Sequence, residues 1–146
     1  MSKIKKQVAV SKVSADNTSK KCSSNPSFSF EHLTSNTKYN FEFFGKDKNL
    51  KISAKAAVCD RLQEISQQTW IFWNSQRKAV GIETLKADDL YFKPCGYDFS
   101  DDEKVIVFRF SFLRNDCRII GIKKSPCSVY YIIGFDFNHN AYDHGS

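Results

Sequence analysis

Three apolar stretches in the C-terminal third decide the fold: KVIVFRFSF (104–112), CRIIGIKK (117–124) and VYYIIGFDF (129–137). Each is rich in β-branched and aromatic residues, which favour a pleated strand. The connecting segments LRND (113–116) and SPCS (125–128) are short enough to form hairpins between antiparallel strands. These stretches therefore predict a three-stranded antiparallel meander.

The segments upstream of the meander predict two more strands and a long helix. FSFEHL (28–33) and KYNFEFF (38–44) alternate aromatic and polar residues with the period of a strand. Residues 50–68 repeat apolar positions at spacings of three and four, with charged residues opposite, as in an amphipathic helix. Asp47 or Asn49 precedes this helix and has a side chain suited to capping its first turn.

The middle of the chain predicts a second helical segment and a short strand. Residues 69–78 form either a second helix, with Thr69 as its cap, or a bent extension of the first. Residues 81–85 predict a strand, and 86–102 an irregular connection. The order of elements indicates an α+β domain, in which an antiparallel sheet with a C-terminal meander packs on one or two helices.

The composition is that of one globular domain with a substantial core. The chain has 146 residues, of which 41% are hydrophobic and 14% aromatic, and this length suits a single domain. No stretch approaches the roughly 18 apolar residues of a membrane helix. The apolar run VAV (8–10) is too short for a secretory signal. We therefore expect a cytoplasmic protein that does not contact a membrane.

Most of the net charge of +6 lies near the N-terminus. Residues 1–27 hold six Lys and one Asp, whereas residues 28–146 hold 16 basic and 15 acidic residues. The segment 1–27 is rich in Ser and Asn and has no sustained period, which predicts a flexible basic extension before a single domain at 28–146. This extension is either a solvated leader or a sequence-independent contact for nucleic acid.

The cysteine pattern argues against a metal centre and against a disulfide framework. No two of the five cysteines have CxxC spacing, whereas zinc sites and disulfide frameworks usually pair cysteines more tightly. We expect reduced thiols, several of them buried, and neither a metal nor a cofactor. The five are Cys22, Cys59, Cys95, Cys117 and Cys127.

Two arginines fall on one face of the predicted meander. With four-residue loops, Ser111 faces Arg118 across the first hairpin, and Arg109 lies two residues further along the same face. In the second hairpin Arg118 faces Phe135. Like charges this close repel each other unless an anion lies between them.

Two kinds of anion are candidates. A carboxylate is one, and a phosphate is the other, because a guanidinium fork matches phosphate oxygens. Tyr131 on the same face, with Trp70 and Trp73, offers stacking surface for unpaired bases. Burial of the two tryptophans in the core is the alternative. The candidate carboxylates are Asp98, Asp101 and Asp136.

The polar ending DFNHNAYDH (136–144) holds a candidate acid–base residue. The ordinary pKa of a histidine such as His139 lies near neutrality, which suits proton transfer. The alternative is a strand end and turn in which Asp136 and Asn138 accept backbone N–H groups. The spacing of Asp136 and His139 fits no established metal motif.

The stretch VFRFSFLRNDCRIIGIKKSPCSVYYIIGFDFNHNAYDH (107–144) resembles the RelE/ParE superfamily of bacterial toxins. The shared features are an arginine-containing strand, a hairpin into RIIGI, a second hairpin into a hydrophobic strand, and an ending with His and Tyr. At the level of layout the resemblance covers residues 38–144. The C-terminal strands also look like those of small prokaryotic proteins that end in a strand followed by an Asp-x-Asn-His turn.

The resemblance implies a toxin of a toxin–antitoxin system that cleaves mRNA without a metal, usually on the ribosome. It implies that Arg109 and Arg118 hold the scissile phosphate and that His139 or Tyr142 acts as acid or base. A cognate antitoxin protein is the implied partner. Further residues are implied to contact RNA: Arg77, Lys78, Lys123, Lys124 and Tyr131.

A second interpretation stays open, namely a non-catalytic binding or regulatory protein of a mobile element or phage-defence system. The enzyme requires Arg109, Arg118 and His139 to converge in one solvent-open concavity. The binding protein predicts an exposed apolar patch or a free sheet edge instead.

Overall fold

The computed structural model describes residues 24–124 and 128–143. These residues form an α+β fold, as predicted, with one mostly antiparallel sheet and two α-helices. No helix within them is both long enough and apolar enough to cross a membrane.

The last residues of the predicted N-terminal extension, 24–27, make hydrogen bonds to the helical region. The carbonyl of Ser24 accepts a hydrogen bond from the Trp70 N–H at 3.1 Å, and the Asn25 side chain donates to the Ser66 carbonyl at 2.9 Å. Residues 24–27 are therefore packed against the domain. Residues 1–23, which make up the rest of the predicted extension, lie outside the described residues.

The sheet contains five strands in the order β1-β5-β4-β3-β2. Strand β1 pairs in parallel with β5, and the other neighbours are antiparallel, so β3, β4 and β5 form the predicted meander. The first strand covers only the start of the segment predicted at 28–33. The strands are β1 (Ser27–Ser29), β2 (Ile82–Lys86), β3 (Lys104–Phe112), β4 (Asn115–Lys123) and β5 (Val129–Asp136).

The helical region consists of two separate helices, α1 (Lys48–Ser66) and α2 (Trp70–Ser75). The Asp47 side chain accepts from the Leu50 N–H at 3.0 Å and so caps α1. Thr69 caps α2 in the same way, as predicted. Each cap satisfies a backbone donor that has no partner within its helix.

The strand predicted at 38–44 is wrong. Thr37–Tyr39 and Phe41–Phe44 form two 3-10 turns instead. The side chains of Asn36 and Asn40 each accept from the backbone N–H two residues further on. Because asparagine competes for backbone donors in this way, it turns the chain where the aromatic alternation alone predicts a strand.

The hairpin between β3 and β4 is tighter than predicted. Its loop contains only Leu113 and Arg114, both in left-handed conformation with φ of 52° and 63°. A two-residue hairpin of this kind requires positive φ at both positions, which normally favours Asn and Gly. The pairing shifts by two residues from the predicted register, so faces are kept, and Arg109 lies directly opposite Arg118.

A bulge in β5 changes which residue faces the arginines. Between Lys123 and Gly121 the pairing of β4 with β5 follows the predicted register. Between Gly121 and Ile120, however, β5 carries one extra residue, Ile133. An extra residue reverses the alternation of side chains beyond it. Arg118 therefore pairs with Asp136 and not with the predicted Phe135.

Both faces of the sheet are buried. The helices cover one face, where Phe108, Phe110 and Phe112 pack with the buried side of α1, as predicted. The opposite face, which carries Arg109 and Arg118, is covered by Tyr39, by the segment 86–102 and by Ala141 and Tyr142 rather than by the two α-helices.

The tryptophans belong to the core. Trp70 is 1% exposed and Trp73 is 5% exposed, so neither offers a stacking surface for a base. Their indole N–H groups donate to the carbonyls of Ser128 and Ile65 at 2.9 and 2.8 Å. These bonds satisfy the polar edge of each buried ring. The core interpretation of the two tryptophans is confirmed.

Gly121 makes room for the buried ring of Tyr130. A Cβ at Gly121 would lie 2.5 Å from Tyr130 Cζ and 2.7 Å from the carbonyl oxygen of Tyr131. Two backbone carbonyls accept hydrogen bonds from the Tyr130 hydroxyl and hold the ring in place. We expect Gly121→Ala to lower the free energy of unfolding by about 2–3 kcal/mol through overpacking, measured by urea denaturation. Exposed Ser111→Ala is the control, expected to change stability by less than about 0.5 kcal/mol; equal midpoints would contradict the packing.

Candidate functional site

The candidate site is built around Arg109 and Arg118, which are cross-strand partners on β3 and β4. Asp116 Oδ2 lies 3.1 Å from Arg118 Nη1 and 3.9 Å from Arg109 Nη1. Glu83 Oε1 lies 3.8 Å from Arg109 Nη2. Carboxylates therefore do offset the paired cations, and Asp116 and Glu83 are two that the sequence prediction did not name. Of the three that it named, Asp98, Asp101 and Asp136, Asp136 is the cross-strand partner of Arg118.

Arg118 is a structural cation. Its side chain is 3% exposed, its Nε donates to the Tyr142 hydroxyl at 3.2 Å, and its Nη1 donates to the Asp116 carbonyl at 3.1 Å. Burial by itself lowers the pKa of Arg118, but the Tyr142 hydrogen bond and the Asp116 charge outweigh it, and the pKa is raised. Arg118 therefore holds Tyr142 and Asp116 in place and does not present its fork to solvent.

Arg109 makes weaker contacts than Arg118. Its side chain is 30% exposed, and its two ion pairs, to Glu83 and Asp116, are longer than hydrogen bonds. Its buried Nε has no hydrogen-bond partner among the described residues. Because Nε is buried, an anionic ligand would meet only the exposed part of the guanidinium, whose two ion pairs are long.

Asp136 closes the end of β5 with a turn. Its carboxylate oxygens accept from the N–H groups of Asn140 at 2.9 Å and Ala141 at 3.0 Å. The alternative reading of DFNHN as a strand end with a side-chain-capped turn is thus correct for Asp136. The turn brings the segment 137–143 back over the sheet and places Tyr142 against Arg118.

His139 lies in this turn and reaches the arginines. It is exposed and has φ of 58°, and its Nδ1 is 3.4 Å from the Asp116 carbonyl oxygen, which also accepts from Arg118. A carbonyl can only accept, so this contact requires a proton on Nδ1. In the neutral form of such a ring Nε2 is the acceptor, which suits a general base.

Tyr142 is a poor candidate for the base. Its pKa is raised by burial and by the negative charge of Glu83, against the opposing effect of Arg118. The phenol therefore stays protonated at neutral pH. Cys117 is also inert, because burial and the charge of Asp136 raise the pKa of its thiol to about 11.

An open cavity of about 520 Å³ joins the predicted catalytic residues. All four line it, and Lys78 joins them, whereas the neighbouring Arg77 is exposed and does not. Three cations and three carboxylates among the lining residues balance in formal charge. The lining residues are Lys78, Glu83, Arg109, Asp116, Arg118, His139, Tyr142 and Asp143.

The other predicted RNA contacts are not brought to this cavity. Lys123 and Lys124 are five and six residues from Arg118 along the chain, about 16–20 Å at strand spacing. The ammonium of Lys123 lies 5.4 Å from the Trp70 ring centre, and that of Lys124 lies 5.9 Å from the Tyr131 ring centre. These basic and aromatic side chains form a separate cluster at the far end of β4.

Two acidic residues of the site escaped the sequence prediction. The four-residue loop predicted at 113–116 contains Asp116, but the tighter hairpin places this residue in β4 beside Arg118. Glu83 falls in the short strand predicted at 81–85 and reaches Arg109 only because β2 pairs with β3. Glu83 carries no local signal, because its contact depends on strand pairing. Asp116 does: it lies two residues before Arg118, and that spacing puts both side chains on one face once the strand is extended to include it.

Arg61 is a third residue that the sequence prediction missed. Its Nε donates to the Arg109 carbonyl and its Nη2 donates to the Val80 carbonyl, both at 2.8 Å. Its guanidinium lies 5.3 Å from the Trp73 ring centre. Arg61 therefore fastens α1 to the strand that carries Arg109. Arg61 lies four residues before the buried Ile65 and therefore on the same face of the helix. A charged residue on the apolar face is the signal that could have identified it.

Neither a metal arrangement nor a relative supplies a function. Among residues 24–124 and 128–143, no three His, Cys, Asp or Glu side chains are grouped to hold a metal ion. Comparison of the chain with protein-family models, curated proteins and solved structures gives no match.

Arg118→Gln and Arg109→Gln separate the structural arginine from the uncommitted one. Arg118→Gln removes the Nε donor to the buried Tyr142 hydroxyl and one of the two donors to the Asp116 carbonyl, so we expect it to lower the free energy of unfolding by about 2–3 kcal/mol. Arg109→Gln removes only two long ion pairs and should change it by less than about 1 kcal/mol. Urea denaturation measures both; equal losses would contradict this division.

Proposed function

We propose that the cavity binds the backbone of single-stranded RNA and cleaves it without a metal, in the manner implied by the resemblance to RelE-type toxins. The observation that carries this proposal is Arg109, a partly exposed guanidinium with two long ion pairs, which lines an open cavity together with the exposed His139. A planar fork of N–H donors is the side chain that best matches phosphate oxygens.

In this proposal Arg109 and Lys78 bind the scissile phosphate. The ion pairs of Arg109 with Asp116 and Glu83, at 3.9 and 3.8 Å, are long enough to yield when a phosphate offers shorter contacts. Because the cavity holds as many carboxylates as cations, we expect modest affinity for free RNA and a strong dependence on salt.

The proposed chemistry is transfer of a phosphoryl group to the ribose 2′-oxygen. Nε2 of His139 takes the 2′-hydroxyl proton while the 2′-oxygen bonds to phosphorus. Arg109 stabilises the charge that develops on the phosphate oxygens. The bond from phosphorus to the 5′-oxygen breaks, and the Lys78 ammonium supplies a proton to the departing oxygen. The products are a 2′,3′-cyclic phosphate and a 5′-hydroxyl.

Arg118 and Tyr142 serve as positioning residues in this mechanism. Arg118 shares the Asp116 carbonyl oxygen with His139, and its Nε holds the Tyr142 hydroxyl. Both side chains are buried. They therefore fix the wall of the cavity from which Arg109 and His139 reach the RNA.

The proposed substrate also sets the place of action and the partners. mRNA on the ribosome is the substrate that the resemblance implies, which places the protein in the cytoplasm. An antitoxin that covers the cavity is the corresponding partner, since an open cavity of this kind would otherwise admit any flexible RNA.

A direct test is cleavage of a single-stranded RNA by the purified protein in excess EDTA. We expect His139→Ala to lower the rate roughly 10²- to 10⁴-fold because it removes the base. Arg109→Gln should lower it roughly 10²- to 10³-fold because it removes charge stabilisation. Lys104→Gln is the control: this exposed cation lies on the same strand, about 17 Å from Arg109. Full activity in both site variants, or none in the wild type on free RNA and on ribosomes, would sink the proposal.

Expression in a bacterial host gives an independent test. The wild type should arrest growth, whereas Arg109→Gln and His139→Ala should not, because they fold but cannot cleave mRNA. Lys104→Gln should be as toxic as the wild type. Growth curves with matched protein levels decide the matter, and equal harmlessness of wild type and variants would count against the enzyme.

A non-catalytic binding role is the second candidate, and the edge of the sheet favours it. Strand β2 is the last strand in the sheet order and pairs with β3 alone among the described residues. An unpaired edge can accept a strand from a partner. This role predicts that the protein does not cleave RNA and that the wild type and Arg109→Gln have the same effect on growth.

A further inference from the structure

A second cavity, of about 270 Å³, adjoins the arginine cavity. The two share Asp116 and His139 and therefore lie on either side of these residues, at the start of β4. A chain held at Arg109 would therefore continue into the second cavity past His139. The residues that line the second cavity and not the first are Arg114, Asn115, Phe137 and Asn138.

Three side chains of the second cavity are uncommitted. Arg114, Asn115 and Asn138 are exposed, and none of the three makes a side-chain hydrogen bond or ion pair within the described chain. Phe137, in contrast, is 5% exposed and packs against the rings of Phe110 and Phe135. The cavity thus has a fixed apolar floor and polar groups at its rim.

Backbone strain is concentrated around the same cavity. The described chain has four non-glycine residues with left-handed φ; two of them, Arg114 and His139, line this cavity, and Leu113 precedes Arg114 in the hairpin. Leu and Arg are poor choices for a two-residue hairpin, where Asn and Gly favour the required conformation. Strain of this kind gathers at binding sites, where the side chain is needed more than the ideal turn.

We propose that the second cavity is a base-recognition subsite, in which Asn115 and Asn138 select adenine in the nucleotide next to the phosphate held by Arg109. This inference rests on the proposed function. A carboxamide has one acceptor and one donor group side by side, which matches N6 and N7 of adenine. Unpaired RNA bases are read on their edges in this way. Arg114 then contacts the next phosphate along the strand.

The test compares cleavage of a randomised RNA by three proteins, with the cut ends sequenced and the total rate measured. The wild type should cut next to adenine about tenfold more often than next to other bases, the usual discrimination of such a pair. Asn115→Ala/Asn138→Ala should lose the preference because cutting next to adenine falls about tenfold, to the level of the other bases. Lys104→Gln should keep the preference.

The outcomes separate this inference from the proposed function. Cutting without base preference in the wild type, or an unchanged preference in the double variant, overturns the subsite and leaves the nuclease standing. Absence of cutting overturns the nuclease, and the RNA then stays intact for anisotropy measurements with rA6 and rU6. Tighter binding of rA6 that the double variant abolishes supports the subsite; equal affinities overturn it.

Replacement of the hairpin residues Leu113 and Arg114 tests whether the hairpin binds RNA, because a purely structural hairpin would not change the affinity for RNA. Leu113→Asn/Arg114→Gly supplies the residues that a two-residue hairpin favours, so its urea midpoint should rise. Affinity for rA6 and rU6 should fall together, because a phosphate contact is lost and base selection is not. A higher midpoint with unchanged affinity overturns the role of Arg114.

Discussion

The organisation of this protein depends on two arginines held directly opposite each other on neighbouring strands. Arg109 and Arg118 occupy one cross-strand pair, a position where like charges repel. The fold resolves the repulsion unequally. Arg118 is buried against Tyr142 and Asp116, while Arg109 keeps only long ion pairs to Asp116 and Glu83. Arg118 therefore has a structural role, whereas Arg109 stays available to a ligand.

This division follows from the way the two faces of the sheet are covered. Helices pack against the phenylalanine face, whereas irregular segments cover the arginine face. The closing turn supplies that cover at one end: Asp136 caps the turn, and the turn delivers Tyr142 to Arg118 and His139 to the Asp116 carbonyl. A helical layer has no such short, adjustable turn, so polar groups converge on the irregular side.

Stability and the candidate site are linked through the same residues. Arg61 joins helix α1 to the backbone of Arg109, and through it the core packing sets the position of β3. The strained hairpin at Leu113 and Arg114 closes the same strand pair, four residues after Arg109. The least favourable backbone of the described chain therefore lies beside its uncommitted side chains, an arrangement in which binding groups are kept at the expense of an ideal turn.

The sequence by itself determined the meander, the two helix caps and the placement of the phenylalanines and the arginines on opposite faces. These features depend on local rules: an alternation of period two, a spacing of three and four, and a capping residue at a helix start. The expected strand at 38–44 failed where a local rule was overlooked, because Asn36 and Asn40 turn the chain.

Only the tertiary structure decided which side chains meet. The two-residue hairpin sets Arg109 against Arg118, and the bulge at Ile133 brings Asp136 to the same face. Neither device leaves a clear mark in the sequence: Leu113 and Arg114 are unusual in such a turn, and Ile133 reads as an ordinary strand residue. Alternation reports the face of a strand, but register is set by turn length and bulges, and a catalytic arrangement depends on register.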